Sequence, residues 1–77
     1  MENELKEFIA GMSQADKEEI GEEVSLLSTG LVDSLGLVHL VAFVEEKYGI
    51  RVGPMDLTPE NFDTVSRIAA YIRARIR

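Results

Sequence analysis

The stretch Asp33–Gly49, DSLGLVHLVAFVEEKYG, decides the fold of this 77-residue chain. Its apolar residues recur at three- and four-residue intervals, the spacing that places them on one face of an α-helix. Asp33 or Ser34 can cap the helix start by accepting hydrogen bonds from free backbone N–H groups, and Gly49 can end the helix. The stripe that we expect to be buried comprises Leu37, Leu40, Val41, Val44 and Tyr48.

The opposite side of this helix is expected to face solvent. Val38 and Phe43 flank the buried stripe, so the helix is apolar over more than half of its circumference. Such a distribution is typical of a central helix with several neighbours. The residues on the opposite side are Leu35, His39, Ala42 and Glu46.

Spacing and caps predict three more helices. Leu5, Phe8, Ile9 and Met12 form one stripe on a first helix of about three turns. Thr58 followed by Pro59 predicts a very short third helix. Asp63 can cap a last helix, and no segment has a convincing strand pattern, so we expect an all-α four-helix bundle with three main helices and one short one. The buried stripe of the last helix comprises Val65, Ile68, Ala69, Ile72 and Ile76.

The segment between the first two helices is predicted to be a long loop. Its residues are mostly polar and acidic, and its apolar residues are irregularly spaced, as in a loop held to a core by isolated anchors. A long loop in so small a domain suggests that function lies nearby. The predicted anchors are Ile20, Val24, Leu26 and Leu27.

Composition excludes several classes of function. Residues 1–77 are enough for one domain with a modest core, and the absence of cysteine excludes disulfides and thiolate metal sites. A net charge of −6 disfavours nucleic acid and anionic membrane surfaces and favours partners with basic patches. No apolar run approaches the roughly 18 residues of a membrane span, and Met1–Glu4 lacks the basic start of a signal peptide. We therefore expect a cytoplasmic protein, and a monomer.

Catalysis by the chain itself is not expected. The only histidine, His39, lies five positions after Ser34, where helical side chains point in different directions, so a serine–base pair is not predicted. His39 together with Glu46 falls short of the three or four ligands of a zinc site. The sequence contains no glycine-rich phosphate loop and no calcium-loop pattern. We predict neither a catalytic residue nor a metal site.

Ser34, at the start of the central helix, allows two interpretations. Serine is common at helix starts, so capping alone would explain it. A phosphate attached to its oxygen would also lie in the favourable field of the helix dipole, worth about 0.3–1 kcal/mol per charge at an exposed site. Helix physics leaves both interpretations open.

A family resemblance distinguishes between them. Asp33-Ser34-Leu35, opening an apolar helix that ends in EEKYGI at residues 45–50, resembles the attachment motif of acyl carrier proteins, which bear 4′-phosphopantetheine. The resemblance extends to VSLL at residues 24–27 and to DTV at residues 63–65, before the last helix. The order and spacing of these pieces, rather than Asp-Ser-Leu alone, make the resemblance specific.

The resemblance implies a chemical role for Ser34. A phosphopantetheinyl transferase would attach the arm from coenzyme A to Ser34, and the thiol of the arm would hold an acyl or aminoacyl group as a thioester. Asp33 corresponds to the acid that helps the transferase engage its metal and coenzyme, and Leu35 and Val52 correspond to apolar positions presented to partner enzymes. The implied recognition face comprises Asp33, Leu35, His39, Ala42, Glu45 and Glu46, with Val52 beside it.

Two departures from the usual fatty acid carriers narrow the type. Leu31 and Val32 place two residues, instead of one, between the glycine and the Asp-Ser pair. Gly36, His39 and Ala42 stand where those carriers expose a row of acids. Both features are similar to D-alanyl carriers and to stand-alone carriers of acyl or aminoacyl groups.

The type of carrier implies its partners. Besides the transferase, we expect an adenylating ligase that loads the arm and an acyltransferase or condensing enzyme that unloads it. The cargo, and whether it serves fatty acid or secondary-metabolite biosynthesis, stay open. From another class, an unmodified helical interaction domain is the alternative.

Overall fold

The computed structural model describes residues 1–76 and confirms the all-α bundle. The main helices are α1 (Glu2–Ser13), α2 (Ser34–Tyr48) and α4 (Val65–Arg75), and the short helix α3 (Pro59–Phe62) precedes α4. Single 3₁₀ turns at Lys17–Glu19 and Pro54–Asp56 lie in the two long connections. Residues 1–76 contain no strand.

Helix α1 runs antiparallel to both α2 and α4. At its start, Glu4 Oε1 accepts a hydrogen bond from the Tyr48 hydroxyl at 2.7 Å, and Glu2 Oε1 accepts one from the Arg73 guanidinium at 2.8 Å. At its other end, Met12 packs against Gly36 in the first turn of α2. Helices α2 and α4 are therefore parallel, and Ser34 lies at the end of the bundle where α1 finishes.

The core lies between the three main helices and is closed by the two connections. Phe62 is 1% exposed, and its ring lies 5.2 Å from that of Tyr71. Phe43 is half-buried and stacks on Phe8 with ring centroids 4.2 Å apart. Burial of each large apolar side chain contributes about 1.5–3 kcal/mol, which offsets the entropy lost on folding. The other core residues are Leu5, Ile9, Ala10, Ile20, Leu26, Val32, Leu40, Val44, Val65, Ile68, Ala69 and Ile72.

Four apolar predictions are wrong. Val24 is half-buried and lies outside the core cluster, and Leu27 is 37% exposed, so only Ile20 and Leu26 are fully buried anchors of the first loop. Val38 is 63% exposed and projects into solvent instead of flanking the buried stripe. Ile76 is 41% exposed because α4 ends at Arg75, before the stripe reaches this residue.

The capping residues predicted from the sequence are correct for α2 and wrong for α4. Asp33 caps α2, and Gly49 ends it in the left-handed conformation with φ 68°. Thr58 precedes α3, with Pro59 in its first turn, but its side chain makes no capping hydrogen bond. Helix α4 is capped by Thr64, whose Oγ1 accepts from the Arg67 N–H at 3.1 Å. The predicted cap of α4, Asp63, faces the first loop instead.

Candidate functional site

Ser34 is the first residue of α2, and its side chain is exposed. The preceding residue satisfies the helix start: Asp33 Oδ1 accepts from the Gly36 N–H at 2.7 Å, and the Asp33 carbonyl accepts from the Leu37 N–H at 2.8 Å. Within residues 1–76, the Ser34 hydroxyl has no hydrogen-bond partner in the protein. Because Asp33 performs the capping, the hydroxyl of Ser34 is left free for other chemistry.

Buried residues on both sides of Ser34 fix its position. Val32, two residues earlier, is 2% exposed, and its N–H donates to the Leu26 carbonyl at 3.0 Å. Gly30 has φ 79°, a conformation that favours glycine, and it turns the chain into this approach. Gly36, two residues later, is buried. The backbone at Ser34 is thus held from both directions while the side chain projects outward.

Gly36 corrects one expectation from the sequence. We expected it on an exposed row, at a position where other carriers have an acid. In the structure, a Cβ added at Gly36 would lie 3.2 Å from Asp33 Oδ1 and 3.5 Å from both Met12 Cε and Val32 Cγ1. The glycine therefore belongs to the contact between α1 and α2 and not to the exposed face.

A side chain distant in sequence holds the loop that leads to Ser34. Both carboxylate oxygens of Asp63 accept from the Ser25 hydroxyl at 2.8 Å, and Oδ1 also accepts from the Leu27 N–H at 3.1 Å. The Asp63 carbonyl accepts from the Leu26 N–H at 2.6 Å. Asp63 therefore joins this loop to the α3–α4 junction. Ser25 lies in the segment VSLL and Asp63 in the segment DTV, but no local pattern in either segment indicates that the two residues are hydrogen-bond partners.

The predicted recognition face is only partly a continuous exposed surface. Leu35, His39, Ala42 and Glu46 are exposed along one side of α2, as the helical wheel predicts, and Asp33 is exposed at its start. Val38 extends this exposed side, although the sequence analysis placed it elsewhere.

Glu45 and Val52 are less accessible than the other residues of this face. Both are half-buried, and a carboxylate oxygen of Glu45 accepts from the Val52 N–H at 2.9 Å. Val52 also packs against the core. A shallow surface depression borders them, lined by Ala42, Glu45, Glu46, Ile50 and Arg51. Glu45 thus holds the loop after α2 in place, whatever else it contacts.

The structure contains neither a metal cluster nor a membrane helix in its described part. Among residues 1–76, no three His, Cys, Asp or Glu side chains are grouped so that they could hold a metal ion. None of the helices described in this range is long and apolar enough to cross a membrane.

Comparison with known families shows what kind of protein this chain is. The profile of the family described as "Phosphopantetheine attachment site" matches residues 3–72, which is most of the chain. The chain belongs to this family of carrier proteins. It is therefore a carrier and not an enzyme, and it holds an acyl or aminoacyl group on covalently attached 4′-phosphopantetheine.

Individual relatives support two kinds of carrier. The D-alanyl carrier protein of Abiotrophia defectiva is 37% identical over 54 residues, which cover 70% of this chain and 68% of that protein. The acyl carrier protein of Thermotoga maritima is 32% identical over 74 residues, or 96% of this chain and 89% of that protein. A chain in a crystal structure described as that of an FAD-dependent dehydrogenase has the same fold. Its TM-score is 0.78 at 29% identity, over 88% of this carrier and 97% of that chain.

Proposed function

We propose that Ser34 is the residue of this carrier that bears 4′-phosphopantetheine. The observation that carries the proposal is the free, exposed hydroxyl at the first residue of α2, in a helix start that Asp33 has already capped. A buried serine, or one in the middle of the helix, could not serve as an attachment point. Ser25, by contrast, does not start a helix, and its hydroxyl donates a hydrogen bond to the Asp63 carboxylate.

The surroundings of Ser34 fit a phosphodiester. A phosphate on its oxygen would lie at the N-terminus of a 15-residue helix, where the dipole favours negative charge by about 0.3–1 kcal/mol. The Asp33 carboxylate next to it is engaged by the Gly36 N–H through Oδ1 only, so Oδ2 is available to a metal that a transferase brings. Asp33 would then serve both the helix and the modification.

Attachment requires no base on the carrier. In the transferase active site, the Ser34 oxygen would attack the β-phosphorus of coenzyme A, forming a phosphodiester and releasing adenosine 3′,5′-bisphosphate and the hydroxyl proton. The bound arm supplies a terminal thiol, on which cargo is held as a thioester. This division of labour agrees with the distance in sequence between Ser34 and the only histidine.

The partners would be enzymes that modify, load and unload the arm. We propose a phosphopantetheinyl transferase, an adenylate-forming ligase that activates the cargo, and an acyltransferase or condensing enzyme that receives it. The carrier would act in the cytoplasm as a monomeric domain spanning residues 1–77. Its recognition face would consist of Asp33, Leu35, His39, Ala42, Glu45, Glu46 and Val52.

The cargo would be one that a ligase activates for a stand-alone carrier, an aminoacyl group or a small acyl group. The similarity to D-alanyl carrier proteins supports this proposal, as do Leu31 and Val32 before the Asp-Ser pair. The neutral side chains of His39 and Ala42 also differ from the acidic row of the usual fatty acid carriers.

Intact-mass spectrometry tests the attachment site. The unmodified carrier is incubated with coenzyme A and a broad-specificity phosphopantetheinyl transferase. Wild type and Ser28→Ala should each gain one phosphopantetheinyl group, because Ser28 is an exposed serine in the neighbouring loop. Ser34→Ala should gain nothing while keeping its circular dichroism spectrum. Modification of Ser34→Ala would refute the assignment, and an unmodified wild type would favour a plain interaction domain.

A further inference from the structure

We propose that Glu46 and Arg51, in the surface depression at the C-terminal end of α2, bind the aminoacyl end of the loaded arm. The Glu46 carboxylate accepts from the α-ammonium group of the cargo, and the Arg51 guanidinium donates to the carbonyl oxygen of the thioester. The inference rests on the proposed function, because it takes Ser34 as the attachment point, and it selects an aminoacyl group over a plain acyl group. The depression, called the α2-end depression below, is lined by Ala42, Glu45, Glu46, Ile50 and Arg51.

Two charged side chains of the α2-end depression are available to a ligand. Glu46 and Arg51 are exposed, and within residues 1–76 neither side chain makes a hydrogen bond or an ion pair. Glu45, by contrast, already accepts from the Val52 N–H at 2.9 Å. A free carboxylate and a free guanidinium in one depression can bind a ligand that carries a cationic donor and an acceptor.

An α-aminoacyl thioester has these two groups on neighbouring carbon atoms. Its ammonium group donates hydrogen bonds, and its carbonyl oxygen accepts them. Hydrogen bonds in which one group is ionised are about twice as strong as those between neutral groups. A fatty acyl chain has no group that would bind Glu46, and only Ala42 and Ile50 of the five lining residues are apolar. The side chains of the depression therefore favour aminoacyl cargo.

The position of the α2-end depression makes the end of the arm its occupant. A helix rises about 1.5 Å and turns about 100° per residue, so Ala42 lies about 12 Å along α2 from Ser34, and Glu46 about 18 Å. The same geometry places Ala42 about 80° and Glu46 about 120° around the helix from Ser34. The depression thus begins on the side of α2 from which the arm would start.

The length of the arm fits this separation. From the Ser34 oxygen to the sulfur it has about fourteen bonds, and a fully extended chain spans about 3.3–3.6 Å for every three bonds, which gives a reach of about 16 Å. The aminoacyl group adds about three bonds between the sulfur and the ammonium nitrogen, or about 3.5 Å more. A short flexible tether gives an effective concentration on the order of millimolar, so a contact too weak to bind a free amino acid can hold a tethered one.

Two loaded carriers that differ in one group test the site. A broad-specificity phosphopantetheinyl transferase attaches an alanyl or a propionyl arm to Ser34 from coenzyme A analogues in which a stable amide replaces the thioester. The two cargos differ only in the ammonium group, which is protonated at pH about 6, below the usual α-amino pKa of about 7.7–8.0. In ¹H–¹⁵N NMR spectra, we expect the alanyl arm to shift the backbone N–H signal of Glu46 relative to the propionyl arm. Arg51→Gln should reduce this difference.

The pKa of the alanyl amine gives a second measurement. A neighbouring carboxylate stabilises the ammonium form, and an exposed ion pair should raise the pKa of the amine by about 0.2–0.7. Glu46→Gln should abolish this increase, and about 500 mM NaCl should reduce it in wild type. Glu19→Gln is the matched control, because Glu19 is an exposed acid of the first loop and its substitution removes the same charge. It should leave the pKa of the amine as in wild type.

Equal spectra of the alanyl and propionyl carriers at Glu46 would overturn the inference. It is also overturned if Glu46→Gln and Glu19→Gln lower the pKa of the amine equally, since the net charge of the carrier would then explain the shift. Circular dichroism establishes that the variants are folded, as expected for exposed residues. Failure of the proposed function is distinguishable, because intact-mass spectrometry would then show that neither arm is attached at Ser34.

Discussion

The contact between Ser25 and Asp63 is expected to stabilise the fold, and the hydrogen bonds in the structure give the size of the effect. Asp63→Ala removes two hydrogen bonds to a carboxylate, one from the Ser25 hydroxyl and one from the Leu27 N–H. A hydrogen bond to a charged group contributes about 1.5–3 kcal/mol, and these groups are half-buried or exposed, which favours the low end. We expect Asp63→Ala to lower the free energy of unfolding by about 2–4 kcal/mol. A domain of this size has about 4–12 kcal/mol in total, so the loss is large.

A double-mutant cycle separates this contact from other effects of the substitutions. Ser25→Ala, Asp63→Ala and the double variant are unfolded in urea, and the coupling free energy is calculated from the four values. We expect a coupling of about 1–2 kcal/mol, because the Ser25–Asp63 bond is lost in each single variant and can be lost only once. The Leu26 N–H would keep its bond to the Asp63 carbonyl in every variant.

Hydrogen exchange shows whether the contact also holds the approach to Ser34. The Val32 N–H bonds to the Leu26 carbonyl, so loosening the loop should speed exchange at Val32 in Asp63→Ala. Exchange in the middle of α2, at Leu40, serves as the control. A coupling free energy between Ser25 and Asp63 within about 0.3–0.5 kcal/mol of zero, the range of independent sites, would refute the predicted contribution of their contact.

Two further predictions concern the ends of α2. Asp33→Ala should lower the free energy of unfolding, measured in urea, by about 0.5–2 kcal/mol, because the cap of α2 is lost. Asp33→Asn should keep most of the stability and still slow the modification of Ser34. Equal modification rates for Asp33→Asn and wild type would argue against a role of the carboxylate in the transferase complex. The Tyr48 hydroxyl, bonded to Glu4 at 2.7 Å, lowers the pKa of that carboxyl below its usual 4.5. A folded-state pKa below the unfolded value stabilises the fold above pH about 4.5, and this stabilisation is lost as pH falls. Tyr48→Phe should therefore weaken the dependence of stability on pH between about 3 and 6, measured by urea unfolding, and an unchanged slope would contradict the assignment.

Helix α2 could be predicted from the sequence because its determinants are local. Periodicity, the Asp33 cap and the glycine at position 49 all lie within the helix or next to it, and the structure confirms the helix and both of its ends. Of the predicted buried stripe, Leu40 and Val44 are fully buried, and the other three residues, Leu37, Val41 and Tyr48, are partly buried against the core. The sequence analysis chose the wrong cap for α4, because Asp63 and Thr64 are both good capping residues. Ser25, which is 38 positions away, engages Asp63 and leaves Thr64 to cap the helix. No local pattern contains that information.

Val38 shows a second limit of sequence analysis. A helical wheel gives the direction of a side chain, but it does not show whether a neighbouring element covers it. Leu40 and Val44 belong to the core cluster and are fully buried, whereas Val38 lies outside the cluster and is 63% exposed. Glu45 shows the reverse case, since an acid expected on the recognition face holds the Val52 N–H.

Ser34 combines a fixed backbone with a free side chain, and the arrangement of its neighbours explains how. Val32 and Gly36 are buried two residues before and after it, while Asp33, Ser34 and Leu35 between them are exposed. The chain is thus fixed to the core on each side of a three-residue exposed segment, and Asp33 satisfies the first turn of α2 without using the serine. A prosthetic arm anchored there would take its mobility from its own rotatable bonds and not from the protein. An enzyme that binds the exposed side of α2 would therefore always find the attachment oxygen in the same place relative to its docking surface. This is the geometric condition for one serine to be served by several enzymes in turn.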